Sequence, residues 1–238
     1  MTKRSGSAAY DELWRTAWGD LQHRGPVHRH IREDLLRVVA SLGVRTILDV
    51  GCGSGDNLAA LATTRQYELA GVDVSAEALS IAEQRVPVAR LQLLDIEKAA
   101  LPERFDLVTS IQVIEHILDD TAALRHMAKM ASRYVFVSTM QGRMRRSEVA
   151  IGHLRNYSAV ELRRKLEVAG LDPLRVYGWG FPFYSPLYRS VVEWLPGGPP
   201  GGPMGAVSRV VATALYHLYR LRWPGRGDVI SVLARPRV

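Results

Sequence analysis

Three glycines at alternate positions, Gly51, Gly53 and Gly55, lie between Asp49 and Asp56 in the stretch T-I-L-D-V-G-C-G-S-G-D-N (46–57). Glycines so spaced let a ligand rest directly on backbone, where a Cβ would collide. Asp73 follows 18 residues after Gly55, near the roughly 20-residue spacing at which an acid meets a ribose. A carboxylate there can accept both ribose hydroxyl protons. The dinucleotide fingerprint G-x-G-x-x-G is not met, because the third glycine comes one place early and Asp56 holds its slot. Asp49 and Asp56 also put negative charge where a pyrophosphate would sit, so a cationic cofactor without phosphates suits the turn better. A second group of reactive side chains is Gln112, Glu115 and His116 in S-I-Q-V-I-E-H-I. His116 has the reference pKa of a base working near neutral pH. His153 and Tyr157, at the end of a basic tract, are the next candidates. A histidine packed beneath other elements is nearly as good a reading of His116.

The elements that must position these groups alternate regularly. Ile47, Leu48 and Val50 form an apolar run, as in a strand buried on both faces. A helix is expected from Asn57, and a second strand runs from Tyr67 into Asp73. A helix follows over 75–85, with Ser75 as its cap, then a third strand over 90–94 ending at Asp95. Phe105 to Ser110 reads as a fourth strand, Thr121 to Met130 as a helix and Tyr134 to Thr139 as a fifth strand. Ser158 with Glu161 opens a helix to Ala169. Leu171 to Tyr177 and Val229 to Ala234 complete seven strands. Before the glycine turn, Tyr10 to Trp18 and the run from Pro26 to Gly43 read as amphipathic helices. The tract 140–156 is basic and shows no period, as expected of a substrate-side loop.

L-D-V-G-C-G-S-G-D, G-V-D-V-S, L-L-D-I-E and F-D-L-V-T-S-I-Q-V-I-E-H-I, in that order, resemble the successive motifs of class I S-adenosylmethionine-dependent methyltransferases. The resemblance covers about Thr46 to Gly178 and the last ten or so residues. It implies a Rossmann-like, doubly wound α/β sheet of seven strands with the last antiparallel. It also implies an N-terminal helical lid (1–43), a cofactor-binding core (44–178) and a final strand (227–238); between the last two the sequence departs from the minimal family pattern with an α-helical insertion (179–226). The implied cofactor is S-adenosylmethionine, met by Asp49, Gly51, Cys52, Gly53, Gly55, Asp73, Val74, Asp95, Ile96 and Gln112, with Arg32 on its carboxylate. The implied activity is metal-independent methylation of an oxygen or nitrogen of a small molecule: a secondary metabolite, sugar, quinone precursor or lipid-linked intermediate.

Composition narrows the class further. The chain has 238 residues, net charge +7 and 47% hydrophobic content, ordinary for one soluble globular domain. Between Arg189 and Val238 seven arginines face two acids, 7 − 2 = +5 of that charge. The single cysteine, Cys52, excludes an internal disulfide and fits a reducing cytoplasm. No signal peptide is read over residues 1–9. No Cys/His cluster has zinc spacing, so no metal is expected. The insertion combines aromatics, a Pro-Gly run (196–203) and a helical stretch over 204–223 with Val207, Val210, Val211, Ala214, Leu215, Leu218 and Leu221 on one side. It reads as an extra packed helix or as a substrate, membrane-surface or dimer element. That leaves open a peripheral location at the inner face of the membrane. Two other readings compete with a small-molecule enzyme: a non-catalytic cofactor-binding partner subunit, and an RNA methyltransferase. The latter rests only on basic charge without interleaved aromatics, so nucleic acid is not the expected partner.

Overall fold

The computed structural model describes residues 10–12, 14, 18–64, 66–194, 204–223 and 225–237, with the backbone alone at 19 and 194. Seven strands form one sheet in the order β3-β2-β1-β4-β5-β7-β6. They are β1 (Thr46–Val50), β2 (Glu68–Asp73), β3 (Arg90–Leu93), β4 (Phe105–Ile111), β5 (Ala131–Met140), β6 (Leu171–Trp179) and β7 (Val229–Pro236). Strand β7 lies antiparallel between β5 and β6, and the pairs from β3 to β5 are parallel. The strand order reverses at β1, with β2 on one side and β4 on the other. A crevice opens there, at the carboxyl ends of the strands.

Alternation along β1 builds both faces of the core. Leu48 and Val50 pack with Leu124 and Met127 of α5 (Asp120–Met130) and with Leu162 of α7 (Ala159–Val168). Ile47 packs on the other side with Leu35 of α2 (Pro26–Leu42) and Leu58 of α3 (Asp56–Ala62). Local chemistry sets the helix ends. Pro26 opens α2, preceded by the short α1 (Gly19–Arg24), and Gly43 closes it at φ 58°. Ser75 Oγ accepts the Ala78 N–H at 3.1 Å to cap α4 (Ala76–Arg85), and Ser158 caps α7 through the Glu161 N–H at 3.1 Å. The basic tract after β5 is less irregular than its sequence suggests. It contains the short helix α6 (Arg146–Ala150), opened by Glu148 accepting the Arg145 N–H at 2.8 Å.

Between β6 and β7 the chain forms a π-type turn (Phe183–Tyr188), α8 (Arg189–Trp194) and α9 (Ala206–Tyr219). Tyr184 and Tyr219 join Trp179, Met140 and Ile31 in one apolar cluster. His30 meets the Tyr216 carbonyl at 2.9 Å, and the Arg29 guanidinium lies 3.6 Å from the Tyr216 ring centre. The insertion is therefore packed onto α2 and the sheet edge. On α9, Ala212, Tyr216 and Tyr219 are buried and Leu215 and Leu218 pack partly against the same cluster, while Val207, Val210 and Val211 face outward. The two tyrosines bury more area than the valines would, and they determine which way the helix turns. The Pro-Gly run 196–203, residues 1–9 and most of the helix expected over 10–18 lie outside the described residues. No described helix is long and apolar enough to cross a membrane.

Candidate active site

A cleft of about 1220 Å³ opens over the carboxyl ends of β1, β2 and β4. That exceeds the roughly 300–1,000 Å³ of a pocket for one small ligand, so there is room for two. One end is built on the glycine turn. Gly51 and Gly53 line the cleft at φ 71° and 53°. A Cβ on Gly51 would lie 2.4 Å from Val113, and one on Gly53 would lie 2.5 Å from the Trp14 indole. Both positions therefore require glycine for backbone conformation and for space. Asp73 ends β2 in the same wall. Its carboxylate accepts the Gly53 N–H at 2.8 Å and the Ser75 N–H at 2.9 Å. Each oxygen keeps a lone pair for a further donor. Burial nonetheless holds the Asp73 pKa above its ordinary value. Cys52, Val74, Asp95 and Ile96 continue the wall. Gln112 closes it with a left-handed backbone, φ 57°, unusual for a residue with a side chain. Its buried Nε2 has no partner.

The other end holds the histidines. His116 follows β4 and His153 follows α6, and their rings meet edge to face at 4.6 Å between centres. The Leu154 N–H donates to the Glu115 carbonyl at 2.8 Å, which pulls the loop carrying His153 onto the end of β4. Burial pushes the His116 imidazole down to about 3, with His153 as the second cause, and burial pushes His153 down to about 4. Both rings are neutral at physiological pH. Glu115 is fully buried, accepts from Thr139 Oγ1 at 2.7 Å, and is raised by burial to about 7. Glu115 Oε1, His116 Nδ1 and His153 Nδ1 all lack partners. Ligand atoms of the three residues lie within 4.8 Å of one another. Folding thus brings together three metal-ligating side chains that no spacing in the sequence announces. Around them the cleft is apolar and aromatic: Trp18 and Tyr10 from the N-terminal segment, Met140 from β5, and Tyr184, Tyr188 and Val192 from the insertion.

The sequence profile described as a methyltransferase domain matches residues 21–176. This chain belongs to the methyltransferase domain family. Family members use S-adenosylmethionine as cofactor, and the glycine cradle with Asp73, Asp95 and the unpartnered Gln112 amide fits it. The ubiquinone biosynthesis O-methyltransferase of Serratia proteamaculans is 33% identical over 136 residues, covering 52% of this chain and 56% of that protein. The protein of the same description from Thiobacillus denitrificans is 26% identical over 215 residues, covering 76% and 89%. The chain spans little more than half the length of the Serratia relative. Among solved structures, a chain of the complex between the Haloferax volcanii Trm112 methyltransferase activator and a methyltransferase superposes with TM-score 0.63 at 17% identity, covering 96% of this chain and 98% of that one. Magnesium protoporphyrin IX methyltransferase of Synechocystis PCC 6803 with bound SAH gives 0.58 at 16%, covering 89% and 83%. These likenesses show the methyltransferase fold.

Of the cofactor residues expected from sequence, the fold brings Gly51, Cys52, Gly53, Asp73, Val74, Asp95, Ile96, Gln112 and Arg32 to the cleft. Two lie elsewhere. Gly55 faces α4, where its Cβ would come within 3.1 Å of Ala82 and of Val86; it is a glycine of helix packing. Asp49 lies beneath the turn, bound to Thr109 Oγ1 at 2.7 Å and raised by burial to about 6. Arg32 does line the cleft, but its guanidinium donates to the Gln22 carbonyl at 2.9 Å and holds α1 in place. Tyr157 does not reach the chemistry. It is 1% exposed and donates to Asp120 at 2.7 Å and to the Ile114 carbonyl at 3.0 Å. Burial, then Asp120, raise its pKa strongly, and a phenol so held cannot serve as a base. Sequence reading did not assign Trp14 to the site, because its aromatic character signals only a helix face. It also missed Arg189, which bridges Glu148 and Asp228 behind the acceptor end.

Proposed function

We propose that this chain transfers a methyl group from S-adenosylmethionine to an oxygen or nitrogen of a small, largely apolar molecule, with His116 taking the acceptor's proton. The observation that carries this reading is the neutral His116–His153 pair, which lines the same cleft as the glycine cradle and as Tyr184 and Tyr188. S-adenosylmethionine, when bound, supplies the electrophilic methyl group on its sulfonium. Gly51 and Gly53 admit the ligand to backbone contact, and Asp73 accepts from its ribose. Asp95 and Ile96 meet the adenine, and the Gln112 amide fixes depth. His116 accepts the proton released as the new C–O or C–N bond forms, and the buried walls exclude water. Alignment in such a cleft contributes roughly 7–11 kcal/mol. The ubiquinone O-methyltransferases among its relatives support a quinone-precursor or lipid-linked acceptor over a sugar, as does the aromatic lining. The direct test is incubation with methyl-labelled cofactor and extracts of the source cell, followed by mass spectrometry. Label on a small apolar product supports the reading. Label only on RNA, or no label at all with intact cofactor binding, rejects it in favour of an RNA enzyme or a partner subunit.

A second reading is favoured by the convergence of Glu115, His116 and His153. Two imidazoles and a carboxylate can hold a divalent cation, which would polarise an acceptor hydroxyl as a Lewis acid. Titration of Mg²⁺ or Zn²⁺ into the protein separates the two. A heat of binding that His153→Ala abolishes, with turnover lost to chelator, supports the cation. Turnover unchanged by chelator supports His116 alone.

A further inference from the structure

Helix α9 presents two apolar stripes. The inner one, Ala212, Tyr216 and Tyr219, is buried against α2 and the π-type turn. The outer one faces solvent: Val207 is 77% exposed, Val210 70%, and Leu221 just past the helix 67%. Val211 and Ala214 lie between them at helical spacing and are also exposed. The stripe runs on into Trp223, 64% exposed, whose N–H donates to the Phe181 carbonyl at 2.8 Å. Phe181 in turn lines a shallow, almost wholly apolar depression with Pro182, Pro186 and Leu187.

The charge on the same stretch says what covers it. Residues 204–226 carry Arg209, Arg220, Arg222 and Arg226 and no acidic residue. Arg209, Arg220 and Arg226 are exposed and form no ion pair among the described residues. A second copy of the chain, docked face to face about a two-fold axis, would bring this arginine set against itself. An anionic lipid surface meets both features at once. Valine, leucine and tryptophan enter the headgroup boundary, and the arginines reach the phosphates. The geometry points to α9 with Leu221 and Trp223 as the element that seats this protein on an anionic bilayer. The insertion also reaches the cleft, through Tyr188, Arg189 and Val192, so the docked face and the acceptor chamber share one segment. The inference does not rest on the identity of the acceptor or on turnover.

The test is sedimentation of the whole protein with vesicles of phosphatidylcholine, alone and mixed with phosphatidylglycerol, over a series of salt concentrations. Binding to the mixed vesicles that weakens as salt rises is expected. Val207→Asp with Val210→Asp, and separately Arg209→Glu with Arg220→Glu, should each weaken it about tenfold or more. Neither pair lines the cleft, so S-adenosylmethionine affinity and the melting temperature should stay near the parent's, which separates lost docking from a misfolded variant. Absence of binding, or binding that neither pair alters, overturns the inference. So does a dimer in free solution that Val207→Asp with Val210→Asp dissociates, since the face would then belong to a second copy.

Discussion

The imidazoles of His116 and His153 stand edge to face, 4.6 Å between centres, although 37 positions separate them in the chain. Burial keeps both neutral, at about 3 and about 4. A free imidazole, with its pKa near 6.5, would be half protonated in mildly acidic solution; these are not.

That difference changes the expected pH dependence. A base works in its unprotonated form, above its pKa. His116 therefore stays unprotonated from neutral pH down to about pH 4, and its titration gives no fall in turnover near pH 6.5; a ring held so low is also a weaker base than the free imidazole expected from sequence, so the site depends more on alignment than on base strength. His116→Ala should cut turnover by roughly 10²–10⁴-fold at every pH in that range while leaving cofactor affinity within about twofold. An acid limb centred near pH 6.5 that vanishes in the variant would show the ring to be solvated and the buried pair to be wrong.

Gly53→Ala should lose cofactor binding. The new methyl meets the Trp14 indole and the position is held at φ 53°. Calorimetry should show at least about a tenfold weaker affinity for S-adenosylmethionine, while circular dichroism keeps the parent's helix and strand content. An affinity equal to the parent's would place the ligand away from this turn.

Gly55→Ala separates the third glycine from the first two. Its φ is 76° and its Cβ would press on Ala82 and Val86, so denaturant unfolding should report a loss of about 1–3 kcal/mol. Cofactor affinity measured on the folded fraction should hold within about twofold. A large loss of affinity at unchanged stability would return Gly55 to the binding site.

Tyr157→Phe tests the other correction. Removing the hydroxyl takes one donor from the buried Asp120 carboxylate, which keeps Lys165 and Arg155 at 2.7 Å each. Stability should fall by about 1–3 kcal/mol, and the pH profile of turnover should keep its shape. A drop of a hundredfold or more in turnover, with the melting temperature unchanged, would restore Tyr157 to the chemistry.

What could be read from sequence follows the range of the interactions involved. The strand, glycine turn and helix around Gly51 and Gly53 are local, so their types and spacing carried the turn and Asp73 directly. The pairing of His116 with His153 depends on the Leu154–Glu115 backbone bond, a tertiary contact that no period encodes. Tyr157 looked reactive because it follows His153 on a basic loop. Its N–H instead donates to the Met140 carbonyl at 2.9 Å, and that contact turns the ring under β4. The aliphatic spacing of α9 left open whether that side packs or faces out, and the burial of Tyr216 and Tyr219, a tertiary contact, sets Val207, Val210 and Val211 outward. Arg189 had no local signal, since both of its partners, Glu148 and Asp228, lie about 40 positions away.

The most direct measurement of the central claim is calorimetric titration of the purified chain with S-adenosylmethionine, S-adenosylhomocysteine and NAD, repeated on Asp73→Ala. One site is expected for each of the first two ligands and none for NAD. An affinity weakened by about 1.5–3 kcal/mol is expected in the variant, the range for hydrogen bonds to a charged group. Tighter binding of NAD than of S-adenosylmethionine, or an affinity that Asp73→Ala leaves untouched, would contradict the claim.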